Sequence, residues 1–278
     1  MDTVRGGRIA VQPGARRYRQ SVPDRRKLKL GDTEVVRIGL GTNRLTNTPE
    51  HVEFVREAVA AGVNLVDTAH LYRAGESEQA IGAALSPRPE GCVVETKGGF
   101  QPGEGRPEVL AAQIEESLRR LRTDAIDLYY LHRVDPETPL EDSLGAIKEY
   151  HDRRQIRHVG LSEVGIDQIE RGRQVVPIAA VQNRYNLAER QHDEVIDYCA
   201  GEGMVFVPFF PLNGDGGRAL EEIAQRHSAT QTQIKLAWLL RRSPAMLPIP
   251  GTLSIDHVRE NLRAVQIDLS EAELNALR

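Results

Sequence analysis

No stretch of this 278-residue chain stays apolar for anything near the roughly 20 residues that span a bilayer, so a membrane protein is not expected. The N-terminal residues also lack the apolar centre of a secretory signal. Cysteine is scarce. Cys92 and Cys199 stand far apart in apolar segments; one disulfide remains an alternative, but two buried reduced thiols and a cytoplasmic location are the expectation. There is no excess of charge either: the net charge is -4 and the pI about 6.1. That balance points away from nucleic acid and membrane surfaces as main partners. Oligomeric state cannot be read from it. Only five of the 36 basic residues are lysine (Lys27, Lys29, Lys97, Lys148 and Lys235). Where arginine serves almost everywhere, a lysine raises the question of what arginine could not supply.

The length suits one (β/α)8 barrel, which takes about 250 residues. Residues 1–26 are rich in arginine, Gly and Pro without periodicity, and read as a flexible basic arm, with a plain solvated tail as the alternative. A strand–turn–strand hairpin is expected over residues 26–38. Eight short apolar runs follow: Val36–Leu40, Val63–Val66, Gly91–Thr96, Ala125–Leu131, Gln155–Leu161, Ile178–Gln182, Met204–Pro208 and Met246–Ile249. Between them lie helix signals. Thr48-Pro49-Glu50 gives a cap, a first-turn proline and an acid, with Gly62 closing that helix. Leu110, Ile114, Leu118 and Leu121 form one stripe, and Glu141–Tyr150, Asp193–Ala200 and Thr230–Leu240 behave likewise. Ser270 and Glu273 form a capping box for a C-terminal capping helix. The expectation is an α/β fold, a TIM barrel with an N-terminal β-hairpin, forming one unit over residues 27–278.

Barrel chemistry sits at the carboxyl ends of the strands. There stand Asp67 and Tyr72 after the second run, Lys97 after the third and His132 after the fourth. Taken singly, Asp67 reads as a loop cap, Tyr72 as a half-buried aromatic and His132 as a satisfied core histidine. Lys97 resists such a reading, because it directly follows an apolar strand in a chain that avoids lysine. Lysine is compact and its pKa can be moved, which a proton-transfer site needs.

Val66-Asp67-Thr68-Ala69 through Tyr72 and Gly75-Glu76-Ser77-Glu78 resemble the second-strand signature of the aldo-keto reductases. Glu95-Thr96-Lys97-Gly98-Gly99, Leu131-His132-Arg133, Gly160-Leu161-Ser162-Glu163, Val181-Gln182-Asn183-Arg184-Tyr185-Asn186 and Ile249-Pro250-Gly251-Thr252 continue the resemblance in order. Each motif is weak alone; together, in order, they are specific. The resemblance implies reduction of an aldehyde or ketone by NADPH, with NADH a lesser cofactor. Tyr72 would be the general acid, whose ordinary pKa near 10 is too high for neutral work. Lys97, held by Asp67, would lower it, and His132 would polarise the carbonyl. The resemblance also implies that Ser162, Glu163 and Gln182 bind the nicotinamide carboxamide and that Phe209 stacks on the ring. The loop Leu212–Gly217, with Gly214 and Gly216, would pass over the pyrophosphate, Gly41, Thr42, Phe210 and Pro211 would border the cofactor, and Gly251, Thr252 and His257 would face the adenosine end. Arg259, or an arginine of the loops, would hold the 2′-phosphate, and Glu260 and Asn261 would contact adenine.

Departures shape the rest. Relatives carry Asn at Glu163, Ser at Phe210, and basic residues at Gly251 and His257. A large apolar residue is usual at Asn43, glycine at Arg73, and an aromatic near Gly98 and Gly99. Few residues follow Ser270, so no long C-terminal loop is expected over the site. Asn43 and Arg73 are therefore expected to give an open pocket for a polar or anionic carbonyl compound. Two other classes stand beside this one. A cofactor-holding sensor or scaffold of the same fold would show little turnover. A metal-dependent hydrolase would need several His and carboxylates at strand ends; only His132 and Asp67 qualify and the first strand has no His-x-His, so no metal is expected.

Overall fold

Strand runs this short and this apolar are what a parallel sheet covered on both faces requires. The computed structural model describes residues 26–277 and forms that sheet. The arm expected over residues 1–26 lies outside the described residues apart from Arg26. An antiparallel hairpin comes first, β1 (Lys27–Leu30) and β2 (Thr33–Val36), turning at Gly31 and Asp32. Seven parallel strands follow in sequence order: β3 (Leu40–Gly41), β4 (Leu65–Asp67), β5 (Val93–Gly98), β6 (Ile126–Leu131), β7 (Ile156–Ser162), β8 (Ile178–Gln182) and β9 (Val205–Phe206).

The eighth barrel position is held by residues 246–251. The amide of Leu247 donates to Phe206 O (2.9 Å), and those of Gly39 and Gly41 donate to Pro248 O (3.0 Å) and Pro250 O (3.2 Å). This segment binds both edges and closes the (β/α)8 barrel, yet it forms no regular ladder. Pro248 and Pro250 have no N–H to give. The first run is also shorter than expected: Val36 ends the hairpin and the strand begins at Leu40. Between them Arg37 turns inward, donating to Met246 O (3.2 Å) and Ser243 O (2.6 Å).

Ten α-helices occur among the described residues: α1 (Pro49–Ala60), α2 (Glu76–Leu85), α3 (Pro107–Leu121), α4 (Leu140–Asp152), α5 (Ile166–Arg173), α6 (Asp193–Gly201), α7 (Gly217–Arg226), α8 (Gln231–Arg242), α9 (Ile255–Arg263) and α10 (Glu271–Ala276). Thr48 caps α1, and Ser270 with Glu273 forms a capping box on α10, as their sequence indicates. One core layer lies between sheet and helices. A second fills the barrel, where Leu30 and Val35 of the hairpin pack with Leu65, Val93, Leu128 and Leu247. The hairpin thus seals one end with apolar side chains. Polar side chains crowd the other.

Candidate active site

Strand register brings the polar groups together. Asp67 pairs with Glu95 across β4 and β5, Lys97 with Tyr130 across β5 and β6, and Ser162 with Gln182 across β7 and β8. Glu95 and Lys97 are two residues apart on one strand, so both face the barrel interior while Thr96 between them faces outward. Lys97 Nζ donates to Asp67 Oδ1 and to Thr68 O (2.7 Å), fully buried. It stands 5.3 Å from the Tyr72 ring centroid. Gln182 Nε2 donates to Asp67 Oδ1 (2.9 Å) and, at longer range, to Glu95 Oε1 (3.4 Å); Tyr130 OH donates to Glu95 Oε2 (3.3 Å).

The loop carrying Tyr72 is fixed from behind. Ser77 Oγ lies 2.8 Å from Thr42 Oγ1 and 2.7 Å from Thr68 Oγ1, joining two strand-end loops to α2. Buried Glu78 accepts from Thr96 Oγ1 (2.7 Å) and pairs with Arg120 of α3 (3.3 Å). Gly75 has φ +91°, a backbone that favours glycine, and a Cβ there would fall 2.3 Å from the Arg120 guanidinium carbon and displace that side chain. The Gly-Glu-Ser-Glu motif is therefore the brace of the site rather than part of its chemistry.

Burial sets the protonation states. It raises the Tyr72 pKa, outweighing the opposing pull of Lys97 and Arg133. Lys97 acts in the expected direction but does not prevail. On Lys97 itself burial works against the charge, yet Asp67, Tyr72 and Glu95 together push its pKa up. Burial and then the Asp67 charge hold Glu95 well above the carboxylate range. His132, with ring centroid 6.2 Å from that of Tyr72, is pushed down to about 2 by burial, Lys97 and Arg133, so it is uncharged near neutrality. Its Nδ1 is buried without a hydrogen-bond partner among the described residues.

Two cavities meet over these groups, sharing Asn43, Tyr72, Phe209 and Phe210. The first, about 330 Å³, is also lined by Gly41, Thr42, Pro211, Leu212 and Gly251. The second, about 250 Å³, adds Phe100, His132, Arg133, Ser162, Gln182 and Arg184. A Cβ on Gly41 would come within 2.7 Å of Ile249 O, so a glycine backbone forms the wall of the first cavity where it meets the eighth segment. The half-buried Phe209 ring stands at the junction, where the two cavities could take a ligand with a flat ring.

Not every residue expected at the site lines these cavities. Glu163 has φ +57° and turns its carboxylate to the Arg184 amide (2.6 Å). Gly214 and Gly216 border a separate depression. Thr252 and His257 face each other (3.3 Å), Arg259 pairs with Asp256, and Glu260 accepts from Thr230 Oγ1 (2.5 Å). Asn261 is buried with Oδ1 unpartnered among the described residues. Asn43 lines both cavities, whereas Arg73 is exposed and lines neither. Its backbone is left-handed, with φ +51°. The cations that do line them are Arg44, Arg133 and Arg184. Sequence reasoning gave no role to these, or to Glu95, although Glu95 shares the face of Lys97 by simple alternation and Arg133 adjoins His132.

The aldo/keto reductase family model matches residues 37–218 and 212–278. An uncharacterized oxidoreductase of Schizosaccharomyces pombe is 37% identical over 263 residues, covering 87% of this chain and 86% of its own. Pyridoxine 4-dehydrogenase of Escherichia coli is 36% identical, covering 89% and 96%. Among solved structures, the thermostable aldo-keto reductase Tm1743 in complex with the inhibitor epalrestat superposes with a TM-score of 0.83 at 35% identity, covering 90% and 98%. An aldo-keto reductase from Klebsiella pneumoniae in complex with NADPH gives 0.83 at 28% identity, covering 91% and 93%. The chain belongs to the aldo/keto reductase family.

Proposed function

We propose that this protein reduces aldehydes or ketones to alcohols with NADPH, Tyr72 serving as the general acid. The observation that carries the reading is the cluster in which half-buried Tyr72, lining both cavities, stands beside buried Lys97, Asp67 and neutral His132. The cofactor, when bound, supplies a hydride to the carbonyl carbon. Tyr72 gives its hydroxyl proton to the developing alkoxide, and the Lys97 charge beside it stabilises the tyrosinate left behind. Burial keeps Tyr72 protonated through the neutral range, which is the state reduction needs. His132, uncharged, orients the carbonyl oxygen by a hydrogen bond without competing as the acid. Asp67 fixes the Lys97 ammonium in place. Well-placed acid catalysis is worth roughly 10²–10⁴-fold in rate.

Gly41, Thr42, Phe209, Phe210, Pro211, Leu212 and Gly251 would hold the cofactor in the first cavity, with Ser162 and Gln182 at its nicotinamide end. Glu163, Gly214, Gly216, Thr252, His257, Glu260 and Asn261 would reach it only along its flanks or its adenosine end. Arg259 and Arg44, whose guanidinium bonds Gly251 O (2.9 Å), are the cations for a 2′-phosphate. The NADPH complex of the Klebsiella pneumoniae relative supports this cofactor. An assembled acid and its counter-charge favour turnover over the cofactor-holding sensor. Fluorescence titration with NADPH and NADH, followed by a carbonyl panel, tests the reading. NADPH should bind at least about tenfold tighter, near 1.4 kcal/mol, and be consumed by a carbonyl compound; equal affinities would overturn the cofactor preference, and no consumption the activity.

A further inference from the structure

The reductase reading leaves one charge at the site unexplained. Arg133, half-buried at the end of β6, has its guanidinium 5.3 Å from the Phe100 ring centroid and 5.8 Å from that of Phe209. It donates to His132 O (2.5 Å) and Ser162 Oγ (3.0 Å), and no carboxylate pairs with it among the described residues. Glu163 acts on it only through space, being bonded to the Arg184 amide. Arg184, the neighbouring cation, is by contrast already paired with Glu189 (3.2 Å). A charge drawn partly out of water without a hydrogen-bonded counter-charge is costly. This one faces the cavity that holds Tyr72 and His132, and its field reaches both.

We infer that Arg133 recognises a carboxylate on the substrate, so that the favoured compounds are small oxo acids whose aldehyde or ketone lies a few atoms from the anionic group. The proposal rests on the reductase reading above. A single unpaired cation matches a monoanion; a phosphate would also require Arg184 to leave Glu189. Arginine presents parallel donors that fit a carboxylate, and the rings of Phe100 and Phe209 flank the approach for the body of the molecule. The cavity, about 250 Å³, is smaller than the roughly 300 Å³ at which drug-sized sites begin, which limits the compound's size.

The test compares kcat/KM for 4-formylbenzoate and 4-formylbenzamide, alike in shape and differing in charge, with 4-formylphenyl phosphate as a third arm. The wild type should favour the carboxylate at least about tenfold, as expected for a hydrogen-bonded charge. Arg133→Gln should bring the ratio near one, whatever the absolute rates, and Arg133→Lys should restore part of it. A wild-type ratio near one, a ratio that survives Arg133→Gln, or a preference for the phosphate overturns the carboxylate subsite while leaving the reductase reading intact. If neither aldehyde is reduced, that reading falls, and calorimetric titration with benzoate and benzamide decides the subsite separately. Benzoate bound about tenfold tighter, with the advantage lost in Arg133→Gln, upholds it; equal binding rejects it.

Discussion

Glu95 and His132 show burial acting on opposite kinds of group. The Glu95 carboxyl keeps its proton in the folded protein long after an unfolded chain has released it near pH 4.3. Above that pH the native state binds more protons than the unfolded state, so this group makes stability fall as pH rises, by up to about 1.4 kcal/mol per pH unit. Glu95→Gln removes the effect. Its melting temperature should gain on the wild type as pH rises above the unfolded carboxylate value, and parallel curves would refute the assignment. His132 has the reverse sign: the unfolded imidazole takes up a proton below about pH 6.5 while the folded one stays neutral to about pH 2. Stability present above pH 6.5 is lost on acidification, and His132→Asn should flatten that acid limb in urea titrations. At this scale the sequence made legible which ionisable side chains gather at the strand ends, because Asp67, Lys97 and His132 directly follow apolar runs and Tyr72 stands in the loop after one. It could not reveal which arginine faces inward. Arg73 and Arg133 each follow an expected catalytic position, and only the left-handed turn at Arg73 and the strand end at Arg133 separate them.

Among elements, the amphipathic helices α1, α3, α4, α6 and α8 were legible from their stripes and caps. Helices α2, α5 and α7 were not read out, since α2 opens in the Gly-Glu-Ser-Glu brace and α5 is short and polar. Residues 214–216, expected beside a pyrophosphate, lead into α7. The eighth strand was legible as an apolar run but not as an irregular one, and the reason lies in its partner's needs as much as its own prolines. Gly41 approaches Ile249 O so closely that Gly41→Ala must push the closing segment outward. Such overpacking costs about 1–3 kcal/mol, which should lower the melting temperature by about 2–8 °C. An unchanged transition would mean that closure there is slack.

The whole molecule separates stability from chemistry along the barrel axis. The hairpin closes the apolar end, and the carboxyl ends of the strands gather the buried ionisable groups. Four large apolar side chains are exposed among the described residues: Leu71, Phe100, Phe210 and Leu253. The first three line the cavity beside His132, so the exposed apolar surface marks the entrance to the chemistry. The proposed reaction stands or falls on Tyr72 delivering the proton there. Single-turnover mixing of an aldehyde with the NADPH complex, followed by nicotinamide absorbance, tests it directly in Tyr72→Phe. Reduction should be at least about 10²-fold slower with NADPH affinity little changed; a variant that keeps more than about a tenth of the wild-type rate would contradict that role.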